Sequence, residues 1–95
     1  MVVIIGVAHL SGGGLEISVQ RPQHDAHASR TYQSVEQAKT TLLNLGILEA
    51  DLEETLKLLP QLGPSERLKF SPINVAHHDL VAEGFKLRVG KTLQA

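Results

Sequence analysis

The spacing of apolar residues changes at Ser34, and that change constrains what the chain can fold into. Before Ser34 the apolar residues come in a β-branched run or alternate with polar ones, as in strands. After it, Val35, Ala38, Leu42 and Leu45 recur at helical spacing, with Leu43 beside the stripe. Ser34 and Gln37 fit a capping box, and Gly46 stands where a left-handed C-terminal residue is wanted. A second helix is expected from Glu49 to Leu59, with Leu48, Leu52, Leu56 and Leu59 as its apolar stripe. Glu49, Asp51, Glu53 and Glu54 crowd its first turns, where the helix dipole favours negative charge. Glu53 and Lys57 stand four apart in the favoured order. Pro60 should end or kink it. The stretch from Ser34 to Gly63 is thus a helical clamp over whatever precedes it.

What precedes it reads as three strands. Val2 to Leu10 is nearly free of polar groups, the pattern of a strand buried on both faces and central in a sheet. It lacks the Lys/Arg-rich start of a signal peptide, so a strand is expected there. Ser11 to Gly14 is a turn. Leu15, Ile17 and Val19 alternate with Glu16, Ser18 and Gln20, and Arg21-Pro22 closes that strand. His27 to Gln33 alternates again, with Ala28, Arg30 and Tyr32 on one face. Short connections make the three an antiparallel meander.

Beyond Gly63-Pro64, Leu68 and Phe70 alternate with Arg67 and Lys69 as a short fourth strand. Ser71-Pro72 reads as a helix start, followed by Ile73, Ala76, His77, Leu80 and Val81 on one helical face, up to Gly84. Phe85, Leu87 and Val89 suggest a fifth strand, and Gly90 to Ala95 an end that frays. The expected fold is α+β: a mostly antiparallel sheet of four to five strands, in the order β-β-β-α-α-β-α-β. Two or three helices pack on one face. All 95 residues are expected to form one domain.

Composition narrows the chemistry. There is no cysteine, which excludes disulfides, thiolate catalysis and cysteine-ligated zinc. It also fits a reducing compartment, so a soluble, cytoplasmic protein is expected. No apolar run reaches the length of a membrane helix. A net charge of −1 gives no general attraction to nucleic acid or anionic lipid. The charges are unevenly spread. Residues 48–66 carry five acidic groups against Lys57, while residues 67–95 carry five basic groups against Asp79 and Glu83. Arg67, Lys69, Lys86 and Arg88 are therefore the candidate interaction residues, a basic sheet edge for an acidic partner. The alternative is solvated faces that neutralise one another, or edge protection.

The histidines suggest the second candidate. His24 and His27 flank Asp25, and His77-His78-Asp79 follows later. His24, His27, His77, His78 and Asp79 are the candidate ligands for zinc or another divalent ion. On a helix, however, His77 and His78 point about 100° apart, which disfavours one shared ion. The pair of histidines four apart on a helix, the usual zinc signature, is missing. Acid–base work by His77 or His78 with Asp79 needs an outside partner that the sequence does not name.

Other motifs fall away. The glycines at 12 to 14 precede an alternating segment, whereas a phosphate loop needs a following helix N-terminus. Gly90-Lys91-Thr92 resembles the end of a nucleotide-binding loop, but five residues rather than four separate Gly84 from Gly90. A DNA-reading helix pair is disfavoured by its acidic second helix, and single-strand binding by the presence of three aromatics only. No catalytic or cofactor motif stands out, and no cofactor is expected. The leading expectation is a small non-enzymatic protein-interaction or binding module, with a protein partner or a second copy of itself. The other is a histidine-based metal or small-ligand binding protein, enzymatic or not.

Overall fold

A computed structural model describes residues 1–23 and 26–87. The architecture is the expected α+β one. Strands β1 (Val2–His9), β2 (Leu15–Gln20) and β3 (His27–Tyr32) form the meander. Helices α1 (Val35–Asn44) and α2 (Glu49–Leu56) follow, then a 3-10 turn at Leu59–Gln61. Two-residue strands β4 (Leu68–Lys69) and β5 (Ile73–Asn74) precede α3 (His77–Ala82). All strand pairs are antiparallel, in the order β3-β2-β1-β4, with β5 also on β1. Strand β1 is central, as its apolar run implies. Its second edge is shared: Gly6 and Val7 pair with β4, and Val2 and Val3 pair with β5.

The register sorts side chains into two faces. Val3, Ile5 and Val7 of β1 and Leu15, Ile17 and Val19 of β2 lie on one face, each buried. Ala38, Leu42 and Leu45 from the first helix and its cap, Leu52 from α2 and Leu80 from α3 join them in one core cluster with Phe70 and Phe85. Each fully buried aliphatic or aromatic side chain contributes roughly 1.5–3 kcal/mol of transfer free energy. Helices gather on this face because only this face is apolar.

Two helix ends follow the same chemistry. Gly46, at φ +105°, lets the Ile47 amide donate to the Leu42 carbonyl and the Gly46 amide to that of Leu43. Gly84, at φ +92°, does the same with Phe85 on Leu80 and Gly84 on Val81. In each case the residue after glycine packs in the core with the residue whose carbonyl it caps, the hydrophobic contact of this motif. Ser34 Oγ accepts from the Gln37 amide at 3.2 Å, as expected. The reciprocal contact lies one residue earlier: the Gln33 amide donates to Gln37 Oε1 at 3.1 Å.

Several local expectations are corrected. Val35 and Leu48 are exposed, Leu48 because it occupies the extended cap position before α2 rather than its stripe. The second helix stops at Leu56, short of Leu59, and Pro60 sits inside the 3-10 turn. Ser71-Pro72 does not start a helix. Ile73 and Asn74 are strand instead, because β1 has unpaired backbone groups there that they satisfy. The last helix therefore begins at His77, with His77 exposed and Leu80 buried. Phe85 and Leu87 are buried and Lys86 exposed, the expected alternation, without ladder pairing. Val89 and Gly90 to Ala95 lie outside the described residues.

Two variants probe this packing. Replacing Ser34 with alanine is expected to lower stability by about 1 kcal/mol in equilibrium urea unfolding. Among the described residues the buried Tyr32 hydroxyl has no hydrogen-bond partner. Tyr32→Phe removes that orphaned group while keeping the ring, which lies 5.4 Å from the Arg30 guanidinium carbon. It should leave stability unchanged or raise it by up to about 1 kcal/mol; a clear loss would reveal a partner for the hydroxyl.

Candidate functional site

The face of the sheet turned away from the helices carries most of the unassigned polar chemistry. Alternation puts Ile4, Gly6 and Ala8 of β1 there, with Glu16, Ser18 and Gln20 of β2 and His27, Ser29 and Thr31 of β3. Lys69 stands opposite Gly6 on this face, and Arg67 shares it two residues earlier. No helix covers it. Gly6 and Ala8 are nonetheless buried.

Arg67 supplies the cover over Gly6. Its Nη1 donates to Ser18 Oγ at 2.6 Å and its Nη2 to Glu16 Oε1 at 2.8 Å. To reach them the side chain crosses β1 directly over Gly6. A methyl group at Gly6 would lie 2.8 Å from Arg67 Cδ and 3.0 Å from Ser18 Oγ. The glycine inside an otherwise β-branched strand is thus explained by a close approach, one of the few reasons for glycine mid-strand. The pair is partly shielded, with side chains 35% and 27% exposed, which makes it more than a fully solvated surface bridge.

A trough of about 310 Å³ runs beside this network, lined by Ile4, Gly6, Ser18, Gln20, His27, Arg67 and Lys69, together with Val19. Lys69 also borders a second groove of about 260 Å³, between α2 and the β4–β5 edge, with Asp51 and Glu54 across from it. Among the described residues Lys69 forms no ion pair.

Of the candidate interaction residues, Arg67 and Lys69 come together on this face. Lys86 is exposed in the segment after α3, outside the trough, and Arg88 lies outside the described residues. Of the candidate ligands, His27 lines the trough, while His77, His78 and Asp79 form the exposed first turn of α3. His78 Nε2 lies 3.3 Å from Asp79 Oδ1, a contact between sequence neighbours. His24 and Asp25 lie outside the described residues. Among the described residues, no group of three or more histidine or carboxylate side chains converges to hold an ion. His9, not singled out by its spacing, has a structural role: its Nε2 donates to the Leu59 carbonyl at 2.7 Å and ties the end of β1 to the 3-10 turn. Among the described residues, no helix is long and apolar enough to cross a membrane.

Sequence reasoning missed Glu16, Ser18 and Gly6 as parts of one feature with Arg67. The available signal was the glycine in β1, which breaks a β-branched run for no local reason.

A double-mutant cycle tests the Gly6–Arg67 relation. In the otherwise unchanged protein, Gly6→Ala should destabilise by about 1–3 kcal/mol through overpacking. In an Arg67→Ala background the same change should cost nothing or stabilise by roughly 0.5–1 kcal/mol, as alanine generally does over glycine in a strand. An equal penalty in both backgrounds would mean that Arg67 is not the obstacle.

Compared with family models, curated proteins and solved structures, the chain matches none, so its own geometry alone bears on what this face does.

Proposed function

We infer that the protein is a small non-enzymatic interaction module that self-associates through the outer edge of β3. The observation behind this reading is the character of that edge. Among the described residues strand β3 pairs with β2 alone, leaving one row of backbone donors and acceptors from His27 to Tyr32 without a strand partner there. Six regular residues are long for an exposed edge, and this one carries no proline, lysine or bulge. The one cation on β3, Arg30, turns away from the edge. Its Nη1 donates to the Glu83 carbonyl at 2.6 Å, against the glycine turn that closes α3.

Two copies of such an edge complement each other. Antiparallel pairing of β3 with its own copy is generated by a two-fold axis through the edge, the commonest symmetry of soluble oligomers. It brings His27, Ser29 and Thr31 of the two copies opposite one another, small or polar side chains that do not obstruct the approach. The other edge of the sheet suits such pairing less, since β4 and β5 are two residues each.

Sedimentation velocity at high micromolar concentration is expected to give a dimer. Ser29→Lys combined with Thr31→Lys places like charges across the two-fold axis and should give a monomer with an unchanged circular dichroism spectrum. Both residues are exposed, so the fold should tolerate the change. A strict monomer for the unsubstituted protein, or a dimer that survives both lysines, would sink the reading.

A further inference from the structure

We propose that the two copies meet along β3 in a single register, with Ser29 opposite Ser29 on the two-fold axis and His27 opposite Thr31, an assignment that rests on the edge reading above and names the atoms that make the contact.

The phase of the sheet decides which backbone groups of β3 are free. In an antiparallel pair, residues whose amide and carbonyl turn to the neighbouring strand alternate with residues whose groups turn away. The Arg21 amide donates to the Ala26 carbonyl at 3.1 Å, and these two stand opposite in the register that pairs Gln20 with His27. Ala26 therefore turns its groups to β2, and so do Ala28, Arg30 and Tyr32. The far side of β2 gives the same phase. The Leu10 amide donates to the Gly14 carbonyl at 3.1 Å, in the register that pairs His9 with Leu15. Glu16, Ser18 and Gln20 thus serve β1, which leaves Leu15, Ile17 and Val19 to serve β3. The free row of β3 is the amides and carbonyls of His27, Ser29 and Thr31.

A two-fold axis perpendicular to the sheet sets each residue opposite one on the same face, so free residues meet only free residues. With Ser29 on the axis, Ser29 meets its own copy and His27 meets Thr31, and each pair exchanges both of its N–H···O bonds. No group of the row is left over. Moving the axis to Arg30 sets His27 opposite Gln33, where the chain turns into α1 and the amide already donates to Gln37 Oε1 at 3.1 Å. Moving it to Ala28 sets Thr31 opposite a position before the start of β3.

Side chains on the core face favour the same register. With Ser29 on the axis, Arg30 stands opposite Ala28 of the second copy, small enough to leave the guanidinium on the Glu83 carbonyl and 5.4 Å from the Tyr32 ring centre. With the axis at Arg30, two arginines stand opposite each other, and like charges so placed are unfavourable.

Sedimentation velocity of single variants at pH 8 and low salt tests the register. Ser29→Lys faces itself and should weaken the dimer several-fold, as should Ser29→Glu. An equimolar mixture of the two should associate more tightly than either alone, since lysine then faces glutamate. Thr31→Lys faces a neutral histidine and should weaken the dimer less than Ser29→Lys does. Proline tests the phase. Ser29→Pro removes a free amide and should give a monomer with the parent's circular dichroism spectrum, while Arg30→Pro removes an amide bonded to β2 and should lower the melting temperature sharply. Equal weakening by the two single lysines, no gain on mixing, or a greater loss of fold from Ser29→Pro than from Arg30→Pro would overturn the register while self-association stands. A monomer for the unsubstituted protein would overturn both.

Discussion

Everything in this fold hangs on the hydrogen bonding of β1. A central strand must find partners for its backbone groups along both edges, because burial leaves no water to satisfy them. Strand β2 serves one edge from Ile4 to His9. The other edge is served in two pieces by segments more than sixty residues away, β4 at Gly6 and Val7 and β5 at Val2 and Val3. Phe70 and Val75 continue the contact, their amides donating to the carbonyls of Ile5 and Met1 at 2.9 and 2.8 Å. The helical clamp of α1 and α2 lies between these two halves in sequence. Closing the second edge of β1 therefore brings the chain back across the molecule and fixes where α3 begins.

The same closure creates the open face. Bringing β4 alongside β1 sets Arg67 next to a strand whose outward side chains are small at Gly6 and Ala8. A long side chain that lies flat covers apolar backbone with its methylenes and holds its charge at the rim. The sheet thus has two unlike surfaces. One is buried by aliphatic side chains under three helices. The other is crossed at Gly6 by the side chain of Arg67, held between a hydroxyl and a carboxylate, and is elsewhere open to water among the described residues. An antiparallel sheet can support this asymmetry because its connections need not cover both faces.

Much of this was legible in the residues. The switch from period two to period 3.6 at Ser34 located the meander and the helical pair, because periodicity reflects which face of a local element meets the core. The stops at Gly46 and Gly84 were legible too, since a left-handed cap has few residue choices. The sequence also marked Arg67 and Lys69 as basic neighbours. What it did not determine were the features that depend on distant partners. Ile73 and Asn74 fit a helical face as well as a strand, and the open edge of β1 decided between them. Leu48 kept the spacing of a buried stripe, yet the path of the chain into α2 left it in water. The glycine at position 6 carried no meaning alone, and acquired one when β4 brought Arg67 across it. Local pattern set the elements, and the need to satisfy the backbone of one central strand decided how they meet.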